Sequence, residues 1–374
     1  MNMWALLMIA LFVLAFVGIL YLASRIRKFT FFKRITKEKR IMQIIVSILI
    51  VVAITAVLWL AWGSMNAIIC ILHLLVFWLI SDGIFALIKK LGKKTFVRYY
   101  AGIAAIVFTV GYLGIGWYQA HHVWETTYDI QTDKAVGKLK VAVLSDSHTG
   151  TTFHGEGFAK HMKDIQKQNP DIILIVGDFV DDDTTKEDMI ACCKALGEMK
   201  TTYGIYYVFG NHDKGYYPPE YRGYDGDDLI SELEKNNVHV MQDNVELVDN
   251  CFYIIGRQDK SEEYAGGRKS MEELVQGLDP DKFSIVLDHQ PQDYEAQKDA
   301  NVDLVLSGHT HGGQLFPLMT IENHSNIAED DRVYGYEKRG NTNFIVTSGI
   351  SDWAIKFKTG CKSEYLLINI EGQL

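Results

Sequence analysis

Nine side chains able to hold a metal or move a proton gather in five short stretches. In order these are Asp146-Ser147-His148, Gly177-Asp178, Gly210-Asn211-His212-Asp213, His289 and Gly308-His309-Thr310-His311. Each stretch directly follows an apolar, β-branched run that reads as a strand, so all nine are expected at the same edge of one sheet. Carboxylates, imidazoles and an amide collected in this way suit two divalent cations about 3.5 to 4 Å apart. Such a pair can clamp the attacking and leaving oxygens of an in-line displacement at phosphorus, and can acidify a bound water until it is hydroxide near neutral pH. The chemistry to expect is hydrolysis of a phosphate ester by attack of that hydroxide.

The five signals differ in weight. An Asp-x-His or a Gly-Asp at a strand end is common, and the simplest account of the latter is a turn residue satisfying loop amides. Gly210-Asn211-His212-Asp213 is stronger, because three ligand-capable side chains run consecutively where glycine lets the backbone turn. In Gly308-His309-Thr310-His311 two histidines lie two apart and point the same way in an extended segment. His289 is singled out only by its position after the strand 284–287. Taken together, in this order, the five leave little room for a purely structural account.

These motifs resemble those of the calcineurin-like metallophosphoesterase superfamily: D-x-H, G-D-x-x-D, G-N-H-D or G-N-H-E, a later H, and G-H-x-H. The resemblance covers residues 139–374. Gly312-Gly313-Gln314 and the apolar N-terminal region are similar to its membrane-anchored branch, transmembrane proteins with a metallophosphoesterase domain and their bacterial relatives. It implies an α-β-β-α fold of two packed mixed sheets flanked by helices. It also implies that Asp146, His148 and His311 bind the first metal, that Asn211, His289 and His309 bind the second, and that Asp178 bridges them. His212 would stabilise the transition state and protonate the leaving oxygen, with Asp213 orienting it. Manganese is the metal the resemblance implies; iron and zinc also suit mixed nitrogen and oxygen donors.

Several residues depart from neighbouring branches. The arginine with which protein phosphatases of the superfamily grip phosphate is missing after Gly177-Asp178-Phe179-Val180-Asp181, which argues against phosphoprotein substrates. Asp181 to Asp183 read as a solvated acidic turn and helix start. Asp288 is expected to strengthen the field around the second metal.

Strands and helices alternate from about residue 139, with strands expected over 139–144, 172–176, 205–209, 252–255, 284–287, 304–306, 344–347 and 366–370, and helices over 157–168, 184–199 and 228–236. This pattern argues an α/β domain over 139–374, and the strand-rich later part suggests a second sheet packed on the first. Residues 121–138 read as a polar linker. Lys214 to Asp227, with four tyrosines and Pro218-Pro219, reads as a loop over the site.

The 374 residues have a net charge of -9, which conceals two unlike parts. Residues 1–123 carry thirteen Lys and Arg against two acids, a net of +11; the remainder carries 24 bases against 44 acids, a net of -20. An acidic domain repels nucleic-acid backbones, so nucleic acid is not an expected partner. Residues 1–120 contain four apolar segments of bilayer length, at about 4–23, 41–62, 67–88 and 96–118, with Trp4, Tyr21, Trp59, Trp62, Tyr99, Trp117 and Tyr118 near their ends. The loops after the first and third segments carry eight and five Lys or Arg, whereas Gly63-Ser64-Met65 is uncharged. By the positive-inside rule both basic loops are cytoplasmic, which places the N-terminus and everything beyond Tyr118 outside the cell membrane. Asp82, alone in the third segment, is expected near the interface within reach of Lys89 and Lys90 and reads as part of an anchor. Five cysteines include no C-x-x-C pair, so neither a zinc ribbon nor a disulfide framework is indicated, while a Cys251 to Cys361 bridge stays open.

Leu315 to Ile321 is an apolar run where the lip of the site should lie. With the tyrosine-rich loop and membrane lipids close by, it points to an amphipathic or lipid-linked phosphate or pyrophosphate ester. An extracellular phosphodiesterase acting on small nucleotides is the alternative. A non-catalytic membrane sensor retaining the fold is disfavoured because no ligand position is missing.

Overall fold

Long runs of Leu, Ile, Val and aromatic residues make the first part of the chain helical, and most of the large side chains along these helices stay exposed, as a lipid-facing surface requires. The computed structural model describes residues 3–92, 96–324 and 330–373, and the chain divides into two compact units, Met1–Gly116 and Trp117–Leu374. The first unit holds helices α1 (Met3–Ile26), α2 (Thr30–Ile35) and α3 (Arg40–Gly92) and most of α4 (Tyr100–His121). Among the described residues three helices, α1, α3 and α4, are long and apolar enough to cross a membrane, where the sequence predicts four segments. The expected second and third segments share α3, because Ser64 and Met65 continue the helix and only Gly63 leaves it, at φ 83° and ψ 169°. Glycine alone takes that conformation without a steric cost. Lys93 and Lys94 of the second basic loop, and the side chain of Trp4, lie outside the described residues.

Asp82 is partnered differently from expectation. Its carboxylate lies 3.0 Å from Arg25 Nε and 3.8 Å from Lys28 Nζ, and it accepts hydrogen bonds from the Tyr21 and Tyr99 hydroxyls. Lys89 and Lys90 make no ion pair with it. One acid therefore ties α1 and the segment before α4 to α3, and the Trp78 indole N–H donates to Tyr99 in the same cluster.

In the second unit, strand alternation sorts side chains between layers. The first sheet runs in the order β1 (Val123–Gln131), β12 (Ser363–Glu371), β2 (Lys138–Leu144), β3 (Ile172–Val176), β4 (Ile205–Val208), β5 (Val238–Met241). The second runs β10 (Gly335–Arg339), β11 (Thr342–Val346), β9 (Leu304–Ser307), β8 (Phe283–Leu287), β7 (Phe252–Gly256), β6 (Asn244–Val248). Val141, Val143, Ile172, Leu174 and Val176 meet Ile254, Ile285, Leu287, Leu304 and Leu306 between the sheets. Their neighbours Ala142, Leu144, Ile173 and Ile175 face outward onto α5 (Gly155–Gln166), α6 (Lys186–Gly197) and α7 (Gly226–Lys235). On the far side Ile255, Val286, Val305 and Phe344 pack beside α8 (Met271–Val275) and α9 (Tyr294–Asp299). Central strands buried on both faces read as continuous apolar runs, which is why they are legible in the sequence.

The stretch expected as a linker, 121–138, is mostly strand: β1 pairs in parallel with β12 over its full length, Val123 opposite Ser363 and Gln131 opposite Glu371. Its polar residues hid it, because an edge strand covered on one side needs few apolar side chains. β5, β6 and β10, also edge strands with exposed positions, escaped for the same reason. All five cysteines are free; Cys251 and Cys361 do not pair.

Replacing Asp82 with alanine is expected to lower the unfolding midpoint of the detergent-solubilised chain by several degrees, since hydrogen bonds to a charged group contribute about 1.5 to 3 kcal/mol each. Lys89→Ala, measured alongside, should leave it within a degree or so, as surface substitutions do.

Candidate metal centre

The five motifs occupy turns at the C-terminal ends of parallel strands, but of two sheets rather than one. Asp146 follows β2, Asp178 follows β3 and Asn211 to Asp213 follow β4 in the first sheet; His289 follows β8, and His309 and His311 follow β9, in the second. Packing the sheets face to face brings their ends together. Asp146, His148 and His311 then offer ligand atoms within 4.8 Å of one another, and so do Asp178, His289 and His309. Asp178 joins the two groups, its Oδ2 lying 3.4 Å from His148 Nε2 and 3.1 Å from His289 Nε2.

The imidazoles are held from behind, which fixes the nitrogen each presents. His289 Nδ1–H donates to the Val176 carbonyl at 2.7 Å, and His148 Nδ1–H donates to Asp181 Oδ2 at 3.1 Å. Both Nε2 atoms face the centre, buried and without a hydrogen-bond partner. Asn211 spends its amide N–H on the Tyr216 hydroxyl at 2.8 Å, and its Oδ1 is likewise buried and unpartnered, as is His309 Nδ1. Buried polar atoms are normally satisfied, so unpartnered atoms on His148 in one cluster and on His289, His309 and Asn211 at the other fit bound cations. This set of carboxylate, imidazole and amide donors fits divalent metal ions.

Backbone geometry tells the same story. Asp146 (φ 55°), His148 (φ 33°), Asp178 (φ 50°), His309 (φ 72°) and His311 (φ 51°) all lie in the left-handed region. Non-glycine residues seldom adopt it, at a cost of about 1 to 3 kcal/mol each, and such strain gathers at functional sites. Gly308 permits the closest approach: a Cβ there would stand 1.9 Å from Ser145 Oγ and 2.3 Å from Asp146 Oδ2.

Asp213 does something other than orient His212. Its Oδ2 accepts the main-chain N–H groups of Asp178 (2.8 Å) and Gly210 (2.7 Å), and its Oδ1 accepts that of Val180 (3.0 Å). No hydrogen bond joins it to the His212 ring. It is a fully buried clamp between the turn after β3 and the turn after β4. Asp178 repeats the device in reverse, its Oδ1 accepting the His212 main-chain N–H at 2.9 Å. The His212 ring instead lies among Tyr216, Trp353 and His148, with centroids 5.0, 5.2 and 5.1 Å away.

Asp181, read from sequence as part of a solvated turn, is 5 % exposed and braces His148. Its place three residues after Asp178, in G-D-x-x-D, was the available signal. Asp352, fully buried, lies on the opposite side with Oδ1 3.7 Å from His311 Nδ1 and accepts the Gln314 amide N–H. No local pattern marks it, since it follows β11, far along the chain. Asp288 does not strengthen the field as expected: Arg257 and Arg268 meet it at 2.8 and 2.7 Å and neutralise it. The loop 214–227 does cover the site, with Asp182 accepting the Tyr216 and Tyr217 N–H groups and buried Arg222 donating to the Asp213 carbonyl. The lip residues Phe316, Leu318 and Ile321 are exposed.

The field is strongly cation-attracting. Burial opposes a charge on His148, yet Asp178 and Asp181 push its pKa up to about 10, and Asp178 with Asp146 raises His289 far above its usual value in the same way. Burial also works against the Asp178 anion, but the two imidazoles outweigh it and hold that carboxyl well below the ordinary range. Burial lowers His212 to about 4, leaving its ring neutral near pH 7.

An α/β unit with two joined His/Asp clusters at its strand ends belongs with the metal-dependent phosphoesterase folds in architecture. A family model of calcineurin-like phosphoesterases matches residues 139–313. An uncharacterized metallophosphoesterase of Aquifex aeolicus is 31% identical over 50% of this chain and 70% of its own length. One from Campylobacter jejuni is 29% identical over 66% of this chain and 62% of its own. A zebrafish transmembrane protein with metallophosphoesterase domain is 30% identical over 50% of this chain, but the match spans only 44% of that protein. The chain belongs to the calcineurin-like metallophosphoesterase family.

Two substitutions separate clamp from brace. Asp213→Ala, which strands three main-chain N–H groups, should cost ~3 kcal/mol or more of stability, read by thermal unfolding. Asp181→Ala should spare the fold and weaken metal binding about 10- to 100-fold, as loss of an imidazole's supporting carboxylate does, read by metal titration.

Proposed function

We propose that this protein is a membrane-anchored phosphohydrolase that uses two divalent metal ions to cleave phosphate or pyrophosphate esters. The observation that carries the reading is Asp178, whose single carboxylate oxygen lies within 3.4 Å of an imidazole from each cluster. Asp146, His148 and His311 would hold one ion, Asn211, His289 and His309 the other, with Asp178 between; manganese is the first candidate and iron or zinc the next. Divalent ions bound there would supply polarisation of the phosphoryl oxygens and a water acidic enough to attack at neutral pH.

The chain's own residues do the rest. His212, neutral when the site is free of substrate, takes up a proton as a phosphate's negative charge approaches and delivers it to the leaving oxygen. Its position is set through the main chain, by Asp178, and through the rings of Tyr216 and Trp353. The loop 214–227 reaches the site through Tyr216, whose hydroxyl accepts the Asn211 amide N–H. Exposed Phe316, Leu318 and Ile321 favour a substrate with an apolar part, an amphipathic or lipid-linked ester. The exposed aromatic faces of Tyr216 and Trp353 beside His212 favour a second reading, a phosphodiesterase that stacks small nucleotides.

The break at Gly63 supports reading α3 as two crossings, which gives four in all and, by the positive-inside rule, an extracytoplasmic catalytic unit. Protease added to right-side-out vesicles should then digest the C-terminal unit; protection of that unit would overturn the orientation. For the chemistry, the full chain carrying Asp178→Asn should lose bound metal and hydrolysis of p-nitrophenyl phosphate esters together. His212→Ala should retain metal, measured by elemental analysis, and lose turnover by about 100-fold or more. Equal metal loss in both would refute the division of roles.

A further inference from the structure

The position of the active edge relative to α4 follows from strand register. Only His122 separates the end of α4 from the start of β1. Val123, the first residue of β1, pairs with Ser363, the first of β12, whose hydroxyl donates to the carbonyl of Ala120 in the last turn of α4. β12 runs antiparallel to β2 with Leu366 opposite Val143. Continuing that register by three residues sets Ser363 level with Asp146. The last turn of α4, which lies within the second unit, therefore meets the sheet at the edge from which Asp146 emerges. β1 and β2 have one strand between them, so the lateral offset is about 10 Å.

The residues around this junction have the composition of a membrane interface. The Trp117 and His121 rings stack at 4.2 Å, and Tyr118, His122 and Trp124 form a second cluster with centroids 4.3 to 5.6 Å apart. Trp117 and Tyr118 are about half exposed. Lys362 Nζ lies 5.8 Å above the Trp124 ring, and Lys356 is within electrostatic reach of His121. Glu125 points to the other face of the sheet, where it accepts from the Tyr365 hydroxyl. Both lysines belong to the segment 353–362, whose other end sets the exposed Trp353 ring against catalytic His212. The lip joins the same surface, as the Phe316 N–H donates to Thr359 and the Phe316 side chain is 62% exposed.

We propose that the segment 353–362 and the lip at Phe316 form a surface that seats on anionic phospholipid headgroups, so that the metal centre opens toward the bilayer. Aromatic rings flanked by lysine suit the headgroup layer, and cations there favour anionic lipids. The proposal rests on α4 crossing the membrane and is independent of whether the site hydrolyses anything. It deepens the amphipathic-substrate reading: a substrate whose apolar part stays in the bilayer presents its phosphate without leaving it.

Photocrosslinking tests this on the full chain in nanodiscs of equal phosphatidylcholine and phosphatidylglycerol. p-Benzoylphenylalanine is placed at Lys356, at Lys362 and, as a control, at Lys235, which ends α7 just before β5 on the opposite edge of the first sheet. Lipid adducts detected by mass should be at least ~tenfold more abundant at 356 and 362 than at 235. They should contain about fivefold more of the anionic lipid, the selectivity of one remaining lysine near the surface. Adducts at 356 and 362 no more abundant than at 235 would overturn the surface. Adducts showing no preference for phosphatidylglycerol would overturn the headgroup assignment. Metal content of each variant, measured on the same samples, distinguishes a misfolded site from an unseated one.

Discussion

Everything at the centre depends on one buried carboxylate being shared. Asp178 faces an imidazole from each sheet with the same oxygen, and its other oxygen holds the turn that carries His212. Such an arrangement is costly for an isolated anion, because burial opposes its charge. The surrounding imidazoles reverse that balance and keep it ionised. The ends of the two sheets thereby acquire a polar link in addition to the His289 to Val176 and His309 to Asp146 hydrogen bonds.

A second ring of contacts makes the first one rigid. His148 leans on Asp181 and His289 on the Val176 carbonyl, so each of these two presents its Nε2 in one tautomer and one direction. Asp213 binds the turns after β3 and β4 into a single body through three main-chain N–H groups. Rigidity of this kind matters because an error of an ångström in the position of a reacting group costs orders of magnitude in rate.

How much could be read from the sequence follows from what each residue must do locally. The central strands were legible because burial on both faces leaves uninterrupted apolar runs, and the candidate ligands could be picked out because each stands two to four residues beyond such a strand. β1 was not, since Glu125, Thr127 and Asp129 on its exposed face look like linker residues and its pairing partner lies at the far end of the chain. Asp213 was assigned the wrong partner because a sequence motif records adjacency to His212 and not the three amides waiting across the turn. Asp352 carried no signal, since its importance arises only when β11 and β9 are placed side by side. Composition divided α3 into two segments at Gly63-Ser64-Met65, whereas the helix resumes at Ser64 and the two form one element, a continuity that no hydropathy pattern distinguishes from a loop.

The left-handed backbone at five of the metal-facing residues reaches beyond chemistry into how this site can change. Aspartate and histidine tolerate that conformation better than most side chains, and asparagine and glycine tolerate it best. Selection for the fold and selection for the donors thus draw on nearly the same short alphabet. A lineage released from catalysis would still be steered toward Asn or Gly at positions 146, 148, 178, 309 and 311, because an alanine or valine there strains the chain. Descendants that have lost their metals should therefore be recognisable by conservative-looking replacements at the ligand positions, with the handedness of the turns outliving the reaction they once served.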